Sequence, residues 1–212
     1  MHSILLLATL SLNAADLEDG TLLYLTNSNR VVETVTQSDV SHVAIVLNID
    51  GIPYVYEATP AVVRRISLGA YQKELAESNR RRKVDMQLYA KRPKQAFTGR
   101  ERKLIKGYLD QQIDRRYSVK SFVWKKPTTG IHCAELVATA LHRCQRKEFV
   151  NSASLSPHSL VTLTAQLYQP PVAVAIPHPR SDLTWCQRSW VAWSSATRWC
   201  KWACVEVWTF CW

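Results

Sequence analysis

Gly130-Ile131-His132-Cys133-Ala134-Glu135-Leu136-Val137 is the stretch on which the reading of this chain turns. A Pro/Thr/Gly-rich loop, Pro127-Thr128-Thr129-Gly130, runs there into an apolar helical pattern. Leu136, Val137, Ala140, Leu141 and Cys144 share one stripe of that helix. Cys133 therefore falls in its first turn. A thiol at that position feels the positive end of the helix dipole, which lowers its pKa. Its backbone N–H has no intrahelical partner and can face a developing oxyanion. Cys144, mid-helix on the apolar face, reads instead as a buried structural cysteine.

Working outward, the partners for such a thiol lie upstream. Val40–Ile49 and Tyr54–Thr59 read as two strands of a hairpin, with Asp50-Gly51 as the two-residue turn. With that turn, cross-strand partners have numbers that sum to 101 (50 + 51), so His42 faces Thr59. Glu57 is one diagonal step away on the same face, about 7–8 Å between backbone positions. Two side chains reaching toward each other close that gap into a hydrogen bond, and the carboxylate then fixes the imidazole tautomer and stabilises the imidazolium. Cys133, His42 and Glu57 are thus the candidate nucleophile, base and third member. His132 is next to Cys133, but neighbours on a helix diverge by about 100°, which argues against it as the base. Asp39 and Glu135 are reserve carboxylates, Glu135 better placed to complete the helix N-terminus. His142, His158 and His178 read as surface residues.

The remaining elements follow from periodicity and caps. Thr21–Thr26 reads as a strand, Asn27–Arg30 as a turn, a helix is expected near Ala70–Ser78, and a strand over Val84–Tyr89. Thr98 with Glu101 forms a capping box that opens a helix with Leu104, Ile105, Tyr108, Leu109 and Ile113 on one face. Ser156-Pro157 starts a short helix with Leu160, Leu163 and Leu167 inward, and Val172–Ile176 is a last strand. Strands grouped first, with helices around the cysteine, give an α+β class.

At 212 residues with 47% hydrophobic and 21% charged content, the chain suits one globular domain and excludes wholesale disorder. Ile4–Leu12 followed by Asn13-Ala14-Ala15 is too short to span a bilayer and reads as the core and cleavage site of a signal peptide over residues 1–15, although His2 alone supplies its basic flank. A buried first strand or helix is the alternative. The net charge of +10 sits in clusters such as 80–83, 91–92, 100–106, 115–116 and 125–126. No aromatic interleaving accompanies them, so nucleic acid is not the expected partner and solvated surface is. Residues 181–212 differ in kind, holding seven of the eight Trp and four of the six Cys. Cys186, Cys200, Cys204 and Cys211 suit a small disulfide-stapled appendage with pairing left open. An aromatic surface resting on membrane or sugar is the other reading. A metal site lacks paired Cys-x-x-Cys spacing.

Five strings in order, Asp19-Gly20-Thr21-Leu22-Leu23, Ser41-His42-Val43-Ala44-Ile45-Val46, Val55-Tyr56-Glu57-Ala58, Tyr117-Ser118 and His132-Cys133-Ala134-Glu135-Leu136-Val137, resemble the YiiX/YaeF-like branch of the permuted papain-like, NlpC-type superfamily. The resemblance covers roughly 19–167. It implies a circularly permuted papain-like fold over 16–180, with an antiparallel sheet packed against the nucleophile helix and the histidine ahead of the cysteine. It also implies Cys133 as nucleophile, His42 as base, Glu57 as the polar third residue, and Tyr117 as a tyrosine lining the cleft. Tyr24, in the Thr21–Thr26 strand, is the second substrate-binding candidate. The expected activity is thiol-dependent hydrolysis of an amide or peptide, or an ester, in the cell envelope, without metal or organic cofactor. Lipid acyl transfer on the same fold, and a non-catalytic envelope-binding module that uses the Trp-rich tail, are the alternatives. Export to the periplasm or envelope, with peripheral membrane contact through the tail, completes the expectation.

Overall fold

The computed structural model describes residues 17–28, 30–124, 128–144 and 149–176. The signal peptide expected over residues 1–15 and the tail expected over residues 181–212, with its cysteines, lie outside the described residues, as does His178.

The turn chemistry sets the first half. Asp50 and Gly51 both take positive φ (52° and 79°), the backbone that a two-residue hairpin turn demands. They join strands β2 (Val40–Ile49) and β3 (Ile52–Ala58), which pair in the expected register, Ile49 with Ile52 through Ile45 with Tyr56. Strand β1 (Leu22–Thr26) lies on the other side of β2, and β4 (Val63–Ser67) on the other side of β3. With β5 (Gln87–Lys91) and β6 (Val172–Val174) they form one antiparallel six-stranded sheet, order β4-β3-β2-β1-β5-β6. Helices are α1 (Arg30–Thr36), α2 (Leu68–Arg80), α3 (Gly99–Gln112), α4 (Lys120–Trp124), α5 (Cys133–Arg143) and α6 (Pro157–Leu163).

Alternation along the strands divides the core in two. Leu22, Val43, Ile45 and Tyr56 face α3 and α5, whereas Leu23, Leu25, Ala44, Val46 and Val55 face Leu68, Tyr71 and Leu75 of α2. The α5 helix is buried along most of its length, with Leu136, Val137, Ala140 and Leu141 at 0% exposure, and its C-cap Cys144 is buried as well. Each of its large apolar side chains contributes roughly 1.5–3 kcal/mol by leaving water. No helix among the described residues is long and apolar enough to cross a membrane.

Several expectations need correction. The strand expected over Val84–Tyr89 starts three residues later and ends at Lys91. Asn79 closes both a donor and an acceptor on the Met86 backbone (2.9 and 3.1 Å), which holds Val84–Met86 as loop, and the β1 ladder takes Gln87–Lys91. On α3 the capping box forms in full, yet Leu104 is exposed because the helix packs through a narrow stripe of Ile105 and Leu109. Leu163, the last residue of α6, is exposed as well; that two-turn helix buries only Pro157 and Leu160. Two of the basic clusters are not wholly solvated surface. Lys91 is buried, its Nζ donating to Val161 O and Thr164 Oγ1 (3.0 and 3.1 Å). Arg115 grips the loop ahead of Cys133, donating to Thr128 O, Thr129 O and Gly130 O at 2.8–2.9 Å.

Candidate active site

The loop that presents Cys133 is held by backbone as well as by Arg115. Ile131 N donates to Arg116 O (3.0 Å) and Ser118 N to Ile131 O (3.2 Å). Gly130 lies so close that a Cβ there would meet Ser118 Cβ at 2.3 Å, so only glycine fits without a shift. Tyr117 bridges Ile131 in this layer and is half-buried against the core. The chain then enters α5 at Cys133, which is buried and carries a free thiol.

His132 is the N-cap of α5, with extended backbone (φ −104°, ψ 169°), and its Nδ1 accepts from Glu135 N at 3.4 Å. The 100° rule for helical neighbours does not govern a residue outside the helix. Its Nε2 lies 3.4 Å from Ala153 O, so both ring nitrogens have partners. Phe122 packs edge-on against that ring, centroids 6.0 Å apart. His132 thus serves as the cap of α5. Histidine is an unusual cap, since Ser, Thr, Asp and Asn are the familiar choices.

His42 is brought in by an irregularity of the sheet. Leu25 pairs with His42 but Thr26 pairs with Val40, so Ser41 is an extra residue on β2. Such a bulge bends the strand and re-aims the side chain beside it. The Ser41 hydroxyl is tied to Ser28 Oγ at 2.6 Å, fixing the kink. His42 Nε2 bonds Glu57 Oε2 at 2.8 Å, closing the diagonal expected from the hairpin register. Cys133 is the ring's other close neighbour and, with Glu57, favours its charged form. Glu57 is itself buried, and its other oxygen is taken by Arg64, directly opposite on β4, at 2.7–2.8 Å.

The electrostatics separate the two titrating groups in the direction of an ion pair. Burial pushes the Cys133 thiol up, but the neighbouring His132 and His42 imidazoles overcome it and hold the group down at about 6. Burial likewise disfavours the His42 imidazolium, but Cys133 and the Glu57 carboxylate overcome it and raise the group to about 10. Glu57 stays below the ordinary carboxylate value: burial opposes this, and His42 and Arg64 outweigh burial. Between those limits thiolate and imidazolium coexist, the form that attacks a carbonyl.

The other residues singled out in the sequence fall elsewhere. Tyr24 is buried in β1 and stacked on Tyr89, centroids 5.2 Å apart, its phenol pushed up to about 12 chiefly by burial. Asp39 is exposed just ahead of β2, lining a shallow depression with Glu33, Thr34, Gln37 and Ser38. Glu135 is buried in the first turn of α5, 3.8 Å from His132 Nε2. His158 bonds Ser38 Oγ at 2.9 Å in an exposed setting.

No family model matches the sequence, and no curated protein matches it. Among solved structures, one described as metalloprotein yiiX from Escherichia coli O157:H7, DUF1105, superposes with a TM-score of 0.53 at 15% identity, over 77% of this chain and 99% of that one. At that identity the likeness is one of fold, and the chain has a YiiX-like fold. Among the described residues here, no three His, Cys, Asp or Glu side chains are grouped to hold a metal ion.

Proposed function

We propose that this YiiX-like chain is a thiol hydrolase of the permuted papain-like, NlpC type, with Cys133 as nucleophile, His42 as base and Glu57 orienting His42. The observation that carries the reading is a buried thiol at a helix start beside an imidazole bonded to a buried carboxylate, with the His42–Glu57 bond at 2.8 Å. In this mechanism the thiolate adds to a carbonyl carbon, and the C=O π electrons move onto oxygen. The Cys133 N–H, without an intrahelical partner by position, donates to that oxyanion. Collapse breaks the bond to the leaving group, which takes the proton from His42, and leaves an acyl thioester on Cys133. His42 then removes a proton from water. The hydroxide adds, the C–S bond breaks, and the acid departs as the thiolate returns. Substrate contact falls to Tyr117 and to the small exposed part of Tyr24.

The acyl donor we favour is a peptide or amide of the cell envelope, reached by an exported chain whose residues 1–15 are a signal peptide, 16–180 the catalytic domain and 181–212 an added tail. A lipid acyl ester is the second reading, favoured by the Trp content of that tail. A binding module without catalysis, working through the tail, is the reading of another class. Activated acyl probes distinguish the enzyme from the module. Incubating the protein with p-nitrophenyl esters and peptide thioesters, then quenching in acid, gives an acyl adduct on Cys133 by mass spectrometry. The adduct is absent in Cys133→Ala and builds up in His42→Ala only slowly. A protein that acquires no adduct at Cys133 from any of these donors is not the hydrolase described.

A further inference from the structure

The carboxylate of the site has a second layer that the catalytic reading does not use. Glu57 is buried, 4% exposed, where burial alone favours the neutral acid, and a neutral acid cannot anchor an imidazolium. Arg64 Nε and Nη2 both reach Glu57 Oε1, at 2.8 and 2.7 Å, while His42 holds Oε2 at 2.8 Å. Each oxygen thus has one task. The far edge of the same guanidinium is gripped by Glu74 of α2, Nη2 to Oε2 at 2.5 Å and Nη1 to Oε1 at 3.2 Å. The fold makes this arrangement cheap: Arg64 stands opposite Glu57 across the β3–β4 ladder, and the chain turns from β4 directly into α2, which carries Glu74.

We propose that Arg64, braced by Glu74, is a positioning residue that keeps Glu57 ionised and rotated toward His42, and so acts on Cys133 through two intermediaries. This inference rests on the triad reading above. The titratable and charged groups around Glu57 are His42 on β2, Arg64 on β4, Tyr71 and Glu74 on α2, and Cys133 with its neighbour His132 at the start of α5. Tyr71 is buried and its hydroxyl has no hydrogen-bond partner among the described residues, so it does not replace Arg64 at Glu57.

The sign of one shift separates positioning from simple charge. As a bare positive charge Arg64 would repel the imidazolium, and removing it would raise the His42 midpoint. As the group that orients and ionises Glu57, its removal lowers that midpoint. Following the His42 ring by NMR in 13C-histidine-labelled protein, Arg64→Met lowers the midpoint by about one unit or more, a tenfold loss of imidazolium at alkaline pH. Arg64→Lys, which keeps the charge but not the fork, recovers part of it. In a Glu57→Gln background Arg64→Met adds nothing further, as required of a residue that works through Glu57. Glu74→Asp, which keeps the charge but draws the carboxylate back from the guanidinium, gives a smaller shift of the same sign and serves if Arg64→Met does not fold. A midpoint that stays put or rises in the folded variant, or a fall that persists without Glu57, overturns the proposal. An ordinary Cys133 thiol in the wild type would instead defeat the hydrolase reading while leaving the His42–Arg64 linkage measurable.

Discussion

His42→Ala will lower the turnover of any substrate that acylates Cys133 by about 10²–10⁴-fold, the range associated with a positioned acid–base group. The loss has two parts. The thiolate loses one of the two imidazoles that hold its pKa down, and the leaving group loses its proton donor. His132 remains, so part of the thiol depression survives. The wild-type pH profile follows from the same pair. The active ion pair forms as pH rises through about 6, where the thiol loses its proton, and is lost through about 10, where the His42 imidazolium loses its own. Those limits belong to the coupled pair rather than to either residue alone. In His42→Ala the alkaline limb disappears and the acid limb moves up. A profile of unchanged shape in the variant would show that His42 is not the base. Steady-state rates on an activated ester between pH 5 and 11 decide it.

Leu136→Ala will remove about 2–5 kcal/mol of stability, the range for a large side chain cut back in a rigid core. Leu136 is wholly buried on α5, within the cluster that includes Ile45 and Tyr56 of the sheet and Leu109 of α3. It lies one helical turn from Cys133, and the cavity cannot collapse without moving the helix that begins at that residue. Urea unfolding followed by circular dichroism reads the effect as a lower midpoint at unchanged slope. A change below about 1 kcal/mol would mean that α5 does not pack in the centre of the core.

The parts of the fold legible in the sequence are those written by local rules. Asp50-Gly51 forces one turn and thereby one register, and that register carries His42 to Glu57. Thr98 and Glu101 announce a helix start by reciprocal bonds. The spacing of Leu136, Val137, Ala140 and Leu141 marks a buried helix face. What escaped depends on contacts distant in sequence or on unusual local geometry. Val63–Ser67 carries two arginines in five residues and hardly looks like a strand, yet Arg64 is there to meet Glu57 and Glu74. Arg115 looks like surface charge until the loop carbonyls it caps are in place. The capping role of His132 escapes as well, because its extended backbone appears only once the helix start is fixed. The bulge at Ser41, which turns His42 toward its partners, has no signature in the residues themselves.

The central claim is that Cys133 is a thiolate held by His42. The direct measurement is the rate of alkylation of Cys133 by iodoacetamide from pH 4 to 9, located by peptide mapping, in wild type and His42→Ala. The midpoint is a better reading than a rate at one pH. Lowering a thiol from 9 to about 6 changes the thiolate fraction at pH 5 about a thousandfold. A less acidic thiol is the better nucleophile once ionised, which returns roughly 20-fold of that and hides the contrast near neutrality. The account predicts a wild-type midpoint near 6, well below the ordinary value of about 8.5, and a rise of more than about one unit in His42→Ala. A wild-type midpoint at the ordinary thiol value, unmoved by the substitution, would contradict it.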